Sequence, residues 1–281
     1  MKKTLSLVLA LVMIVSCVAV FASCDKKTYK IGVQNGTTGE YFVKGDADWG
    51  FDGIDGWEAA GYNNGGLAVN DMKNGQVDYV IIDQQPALNL EKSIDGVKVI
   101  DIALTEEEYA FGVDKNQPVL FAAINAIVVE IKANGKLDEI VSAYATGDGI
   151  KPFESAKFDA AKADKQLVVA TNAAFAPFEY KDGDKFAGID MEIAKYIAEK
   201  LGLELVIMDM DFDSVVTSVG KNGVDVAMAG LTVNDTRKQY VNFTESYYNA
   251  AQVLVVPEDE DAFDSCKTAE DVLNKLDELK K

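Results

Sequence analysis

The chain has 281 residues, 48% of them hydrophobic and 26% charged, a balance that belongs to a globular protein and excludes extended disorder. That length allows two lobes of ordinary size, each with a core of its own. A formal charge of −19 and the lack of any histidine exclude nucleic acid and anionic membrane surfaces as electrostatic partners.

At the N-terminus, Lys2 and Lys3 precede an apolar run from Leu5 to Ser23 that gives way to Cys24, Asp25, Lys26 and Lys27. A charged start, an apolar middle and a small-residue boundary predict an export signal over residues 1–23. Its removal takes Lys2 and Lys3 away, so the charge falls from −19 to −21. Both Ile14-Val15-Ser16-Cys17 and Phe21-Ala22-Ser23-Cys24 resemble the lipobox of bacterial lipoproteins. Cys24 stands at the switch from apolar to charged sequence and is the preferred lipidation site, with Cys17 as the alternative. An uncleaved anchor is the competing reading, because the run approaches the ~18–20 residues that span a bilayer. If Cys17 carries the lipid, Cys24 and Cys266 are left to pair. No cysteine spacing suits zinc or a redox pair, so no metal and no cofactor is expected.

Tyr29 to Val33 reads as a strand, followed by the turn QNGTTGE and a helix start near Thr37 and Thr38. Residues 45–66, with both tryptophans, give no assignable pattern. A short helix is predicted from Leu67 to Lys73, ended by Gly75, then a buried strand from Val77 to Ile82 with Asp83 at its exit. Residues 117–144 predict two helices broken near Gly135, and the polar, small-residue stretch 145–165 a linker over the surface. Further along, Asp190 is expected to cap a helix that carries Ile193, Ala194, Ile197 and Leu201 on one face and ends at Gly202. Leu203 to Met208 reads as a strand, Ser214 to Val219 as a helix and Val224 to Met228 as a strand. Residues 267–281 predict an amphipathic helix with Val272, Leu273 and Leu276 on one side. The pattern Lys-Asn-Gly, Val-Asp, apolar run occurs twice, at 73–82 and 221–228. Alternating strands and helices imply mostly parallel sheets covered on both faces, and two such units imply two α/β lobes.

Every basic residue except Arg237 is a lysine. Arginine differs from lysine in its planar fork, which recognises a carboxylate at two points, whereas a surface salt bridge would be worth under ~1 kcal/mol. Open α/β sheets bind ligands at the carboxyl ends of their strands. Those ends deliver Asn172 to Phe178, Ala229 to Thr232, Gln34 to Thr38, and Asp83. Arg237 with a helix start at Thr37 and Thr38 suits a carboxylate, Asp83 suits an ammonium, and Phe175 and Phe212 supply apolar walls. A carboxylate and an ammonium on one small molecule make an α-amino acid.

Five separated segments resemble the family-3 solute-binding proteins of polar amino-acid ABC transporters: 167–202, 229–256, 29–40, 74–83 and 104–116. The resemblance implies a type II periplasmic-binding-protein-like fold, two α/β lobes joined by two crossing strands, and no enzymatic activity. The block 167–256 opens the family's sequence, with 29–144 after it; here the blocks are exchanged, as in a circular permutant. Lobe 2 would then be 28–104 plus 258–281, and lobe 1 would be 105–257, including the linker 145–165. Carried over residue by residue, Arg237 would bind the ligand α-carboxylate, helped by Thr232 and Thr38, with Thr37 at the same helix start among the ligand-binding residues. Asp83 and the Gly230 carbonyl would bind the α-ammonium, next to Ala229, and Phe175 and Phe212 would sandwich the side chain. Asn172 replaces an acid common in members that take cationic ligands, which leans toward a polar or neutral amino acid. The implied protein is a monomer on the outer face of the cell membrane (the periplasmic side in a Gram-negative cell). It would be held there by a lipid anchor and would deliver its ligand to an ABC permease. A ligand sensor of the same fold and a cyclohexadienyl-dehydratase-like enzyme are the competing readings.

Overall fold

A computed structural model describes residues 28–280. The predicted export signal, Cys17 and Cys24 lie outside the described residues.

Two five-stranded sheets organise the chain. The first is built from β1 (Tyr29–Gln34), β2 (Trp57–Tyr62), β3 (Tyr79–Asp83), β4 (Val97–Ile100) and a late strand, Gln252–Pro257. β1, β2 and β3 run parallel, and Gln252–Pro257 lies antiparallel between β3 and β4. The strand Gln252–Pro257, expected within the lobe 105–257, therefore belongs by pairing to the other lobe. Between these strands run α1 (Thr38–Lys44), α2 (Gly65–Lys73) and α3 (Gln84–Ser93). The stretch without a predicted pattern turns out to hold β2, whose register on β1 runs from Tyr29↔Trp57 to Gln34↔Tyr62. Helix α2 begins two residues before the expected Leu67, because the Asn64 side chain caps the Leu67 N–H at 3.0 Å.

A short crossing strand, β5 (Glu107–Tyr109), leads to the second sheet, which β6 (Gly112–Asp114) enters antiparallel to its neighbours. Two helices follow, α4 (Pro118–Ala133) and α5 (Lys136–Thr146), separated at Gly135 as the sequence predicts. The linker does cross the outside of this lobe, yet it is tied down: Phe153 bridges Phe186, and the Ala156 N–H donates to the Leu205 carbonyl at 2.9 Å. Then come β7 (Gln166–Thr171), a three-stranded excursion of β8 (Ala174–Phe175), β9 (Glu179–Asp182) and β10 (Lys185–Ala187), and α6 (Ile189–Leu201). Gly188, not Asp190, is the N-cap of α6; Asp190 is turned into the protein instead. The lobe closes with β11 (Glu204–Asp209), α7 (Phe212–Ser218), β12 (Val226–Ala227), α8 (Asp235–Lys238) and β13 (Val241–Phe243). Only two residues of the predicted strand Val224 to Met228 pair in the ladder. The return crossing is β14 (Tyr248–Ala250), antiparallel to β5, which runs into β15 (Gln252–Pro257).

The repeated Lys-Asn-Gly, Val-Asp pattern has the same job in each lobe. The Asp78 carboxylate accepts from the Lys30 N–H at 2.8 Å, and its own N–H donates to the Lys30 carbonyl. Asp225 does the same to Val168, again at 2.8 Å. Each aspartate thus extends the pairing of the sheet's first strand before the third strand begins. C-terminal helix α9 (Ala269–Leu279) is held by a capping box at Thr268 and Asp271. It buries Val272 and Leu276 against a core that includes Ile31, Val33, Trp57 and Phe263. Trp57 Nε1 donates to the Leu276 carbonyl at 3.1 Å, so the first strand and the last helix share one core.

Candidate functional site

The carboxyl ends of β1, β3, β7 and β12 meet between the two sheets. On the β12 side, Gly230 takes a φ of +52°, where a side chain is strained, and a Cβ there would lie 2.9 Å from Phe175 Cε1. Its N–H donates to Asp190 Oδ2 at 2.9 Å, and Tyr247 donates to the other oxygen at 2.5 Å. The Asn234 side chain caps the Arg237 N–H at 2.8 Å, which starts the short helix α8 and turns Arg237 back toward the sheet. Arg237 as a whole is 6% exposed, and its guanidinium is the group that makes the contacts. It donates to the carbonyls of Thr232 at 2.8 Å and Gly36 at 3.1 Å, so it spans the two lobes. The rings of Trp49 and Phe212 lie 5.1 and 5.3 Å from it. Burial pushes this guanidinium down to about 10, against the pull of Glu107 and Asp83.

On the β1 side the turn at Gly36 delivers Thr38 into the first turn of α1. Thr38 Oγ1 donates to Glu107 Oε2 at 2.7 Å, and Thr232 Oγ1 donates to the same oxygen at 2.5 Å. The two hydroxyls are 3.3 Å apart. The other Glu107 oxygen accepts from Thr105 Oγ1 at 2.7 Å and Gln252 Nε2 at 3.0 Å. Asp83 is buried at the end of β3 and accepts from the Tyr109 hydroxyl. Burial, with Glu107 nearby, raises its carboxyl to about 7. Glu179 is completely buried, and neither of its oxygens has a hydrogen-bond partner among the described residues. Burial, Asp190 and Asp83 hold its carboxyl well above the usual range.

Of the residues singled out in the sequence, Arg237, Thr232 and Thr38 converge, with Asp83 next to them through Glu107 and Tyr109. Asn172 is buried and bridges the lobes, accepting from Gln34 Nε2 at 2.9 Å while donating to the Met210 carbonyl at 2.8 Å. Phe175 packs on Gly230 and stacks with Phe178. Beside it a cavity of about 250 Å³ is lined from both lobes, by Gly65, Ile82 and Leu90 on one side and Ala173 to Ala176 on the other. Phe212 faces Arg237 instead of Phe175. Thr37 is less engaged: as the N-cap of α1, it donates its hydroxyl to the Gln34 carbonyl at the end of β1 at 2.7 Å. Ala229 is buried in the core of its lobe with Leu231 and Phe212. Sequence reasoning missed Glu107, Trp49 and Gln252, and placed Gln34 at the strand end without giving it a role. Glu107 and Trp49 arrive from a crossing strand and an irregular turn, where no periodic signal marks a side chain that faces a cleft.

Residues 167–281 match the family model for bacterial extracellular solute-binding proteins, family 3. The arginine-binding extracellular protein ArtP of Bacillus subtilis is 41% identical over 95 residues, 34% of this chain and 37% of its own length. The L-arginine-binding protein of Pseudomonas aeruginosa is 30% identical over 97 residues, 34% of this chain and 38% of its own. The solved structure of an ancestral arginine-binding protein bound to arginine is 39% identical over 30% of this chain and 38% of that one, with a TM-score of 0.29. The chain thus spans well under half the length of the curated relatives it matches. Two α/β lobes joined by paired crossing strands form the type II periplasmic-binding-protein fold. Over residues 167–281, the chain is similar to the bacterial extracellular solute-binding proteins of family 3.

Proposed function

We propose that this protein captures a free amino acid between its two lobes outside the cytoplasm and delivers it to an ABC permease. The observation that carries the reading is the meeting of Arg237 and Thr232 from one lobe with Thr38 and Asp83 from the other, all buried where the two lobes touch. A cationic fork opposite a carboxylate matches the two charges of an α-amino acid, and Gly230 is set by Asp190 so that its carbonyl can take part. A ligand that touches both lobes favours the closed form, which a permease can then recognise. The cavity beside Phe175 offers room for a side chain. Relatives named for arginine binding support an amino-acid ligand in general. Neutral Asn172, already committed to Gln34 and Met210, favours a polar or neutral one. We further infer a monomer with a lipid anchor at Cys24 and a circularly permuted order of the two lobes. The sheets are compatible with the permutation: both have the order second, first, third, crossing, fourth strand, whichever lobe the chain enters first. Thermal unfolding against a panel of amino acids, on protein lacking residues 1–24, tests the reading. Stabilisation by one or a few is expected, and no shift with any would overturn it.

A further inference from the structure

We propose that Glu107 is a built-in competitor for the ligand's carboxylate, and so sets how strongly the cleft prefers a free acid; this rests on the amino-acid reading above. Glu107 sits on crossing strand β5, is buried, and accepts the hydroxyl hydrogens of Thr38 and Thr232 on one oxygen. These are the two hydroxyls that would serve a ligand carboxylate. A threonine hydroxyl has one hydrogen to give. While it goes to Glu107, the oxygen presents only lone pairs, which repel a carboxylate. An incoming carboxylate would also meet the like charge of Glu107 itself. Binding of the acid group therefore requires Glu107 to release this pair and keep only its other two partners, Thr105 and Gln252. Both of these stand at the crossing strands, Thr105 just before β5 and Gln252 at the start of β15, so they hold Glu107 from the side away from the two threonines' hydroxyls. Because Thr38 and Thr232 come from different lobes, the same carboxylate also ties the cleft shut.

The test compares wild type with Glu107→Gln. Titration calorimetry would use L-arginine, L-histidine and L-glutamine, each against its own α-carboxamide, which lacks the acid group. A glutamine loses the charge and holds the two hydroxyls less tightly. The free acids should bind about tenfold more tightly to the variant, in line with the loss of a charge-assisted competitor, while the carboxamides change little. Binding of an acid by Glu107→Gln alone, with none by wild type, would support the proposal as well. If wild type binds an acid and the variant binds it equally or more weakly, or if acid and carboxamide move together, Glu107 only positions the threonines and the proposal falls while the amino-acid reading stands. If neither protein binds any of the probes, both fall. Glu107→Asp, which shortens the reach by one methylene and keeps the charge for Thr105, should tighten acid binding in the same direction. It decides the matter if the glutamine variant does not fold.

Discussion

Replacing Arg237 by alanine removes a guanidinium that is buried between two rings and bonded to carbonyls of both lobes. The loss has two parts. For binding, truncating one partner of a buried charge pair costs ~2–5 kcal/mol, which is roughly thirtyfold to several thousandfold in affinity. For stability, the Thr232 and Gly36 carbonyls each lose a donor, at about 1–3 kcal/mol for a group left buried and less where water enters the space. Loss of the stacking on Trp49 and Phe212 adds ~0.5–2 kcal/mol. Asp83 and Glu107 also lose a positive charge that each of them attracts, which favours the neutral form of Asp83 further. Arg237→Lys separates charge from geometry, because a point ammonium cannot bond both carbonyls and a carboxylate in one plane. It should lose at least about tenfold in affinity. The assay is calorimetric titration of whichever amino acid stabilises wild type, with urea unfolding of each variant alongside. Unchanged affinity in an alanine variant that still unfolds cooperatively would refute the placement of the ligand at Arg237.

Three further outcomes are expected. Asp83 and Asp190 each have carboxyls raised by burial to about 7, from 3.8 in the unfolded chain. The folded protein thus holds protons that the unfolded chain has already released. Stability is greatest below the unfolded value and falls as pH rises between roughly 4 and 7, by on the order of a few kcal/mol per group. Urea midpoints measured from pH 4 to 8 should flatten in Asp83→Asn and in Asp190→Asn, and an unaltered slope in both would contradict the burial argument. Asn172→Asp turns a donor to the Met210 carbonyl into an acceptor, so it should cost about 1–3 kcal/mol even without ligand, seen as a lower urea midpoint. Leu276→Ala empties the space under α9 next to Trp57 and Phe263, at about 2–5 kcal/mol. Trp57 emission should move to longer wavelength as its ring gains water, and a variant as stable as wild type would show that α9 is not part of the core.

Much of this arrangement was legible because it follows from period and punctuation. The buried strand before Asp83, the two helices either side of Gly135 and the apolar face of α9 are all written as hydrophobic spacing with a glycine or a cap at the end. Arg237, Thr232 and Thr38 were found by residue type and by the rule that sites gather at strand ends. What stayed hidden had no period. Residues 45–56 turn through Gly45, Gly50 and Gly53 at positive φ with a single bridge, Asp46↔Phe51. Trp49 reaches Arg237 only because that turn stacks it on Tyr41, with ring centroids 4.1 Å apart. Asp190 reads as a cap from spacing alone, and only the tertiary approach of Gly230 and Tyr247 turns it inward. Glu107 lies in a run of three acids at 106–108. Strand alternation around Tyr109 buries Glu107 and exposes Glu108, yet composition alone would put all three in solvent.

The two sheets have the same strand order, so the lobes are related by an approximate twofold, and the residues on that axis can be named. When equivalent positions of two related units touch each other, they must lie at the axis. Gln34 ends the first strand of one lobe, and Asn172 follows the first strand of the other; they are hydrogen-bonded to each other across the cleft. Crossing strands β5 and β14 are also equivalents, and they pair with each other, Tyr109 opposite Tyr248. The axis therefore runs from the Gln34–Asn172 contact to the paired crossing strands, and the candidate site lies along it. Away from the axis the symmetry is broken in charge. The third strand of one lobe ends in Asp83, whereas that of the other leads through neutral Ala229, Gly230 and Thr232 to Arg237. A scaffold that is symmetric in backbone but presents a carboxyl from one lobe, which an ammonium would hold ionised, and a cation from the other is matched by a ligand with opposite charges on neighbouring atoms. That is the physical reason for favouring an amino acid over a dianion or a polyamine, either of which would leave one of the two buried charges uncompensated.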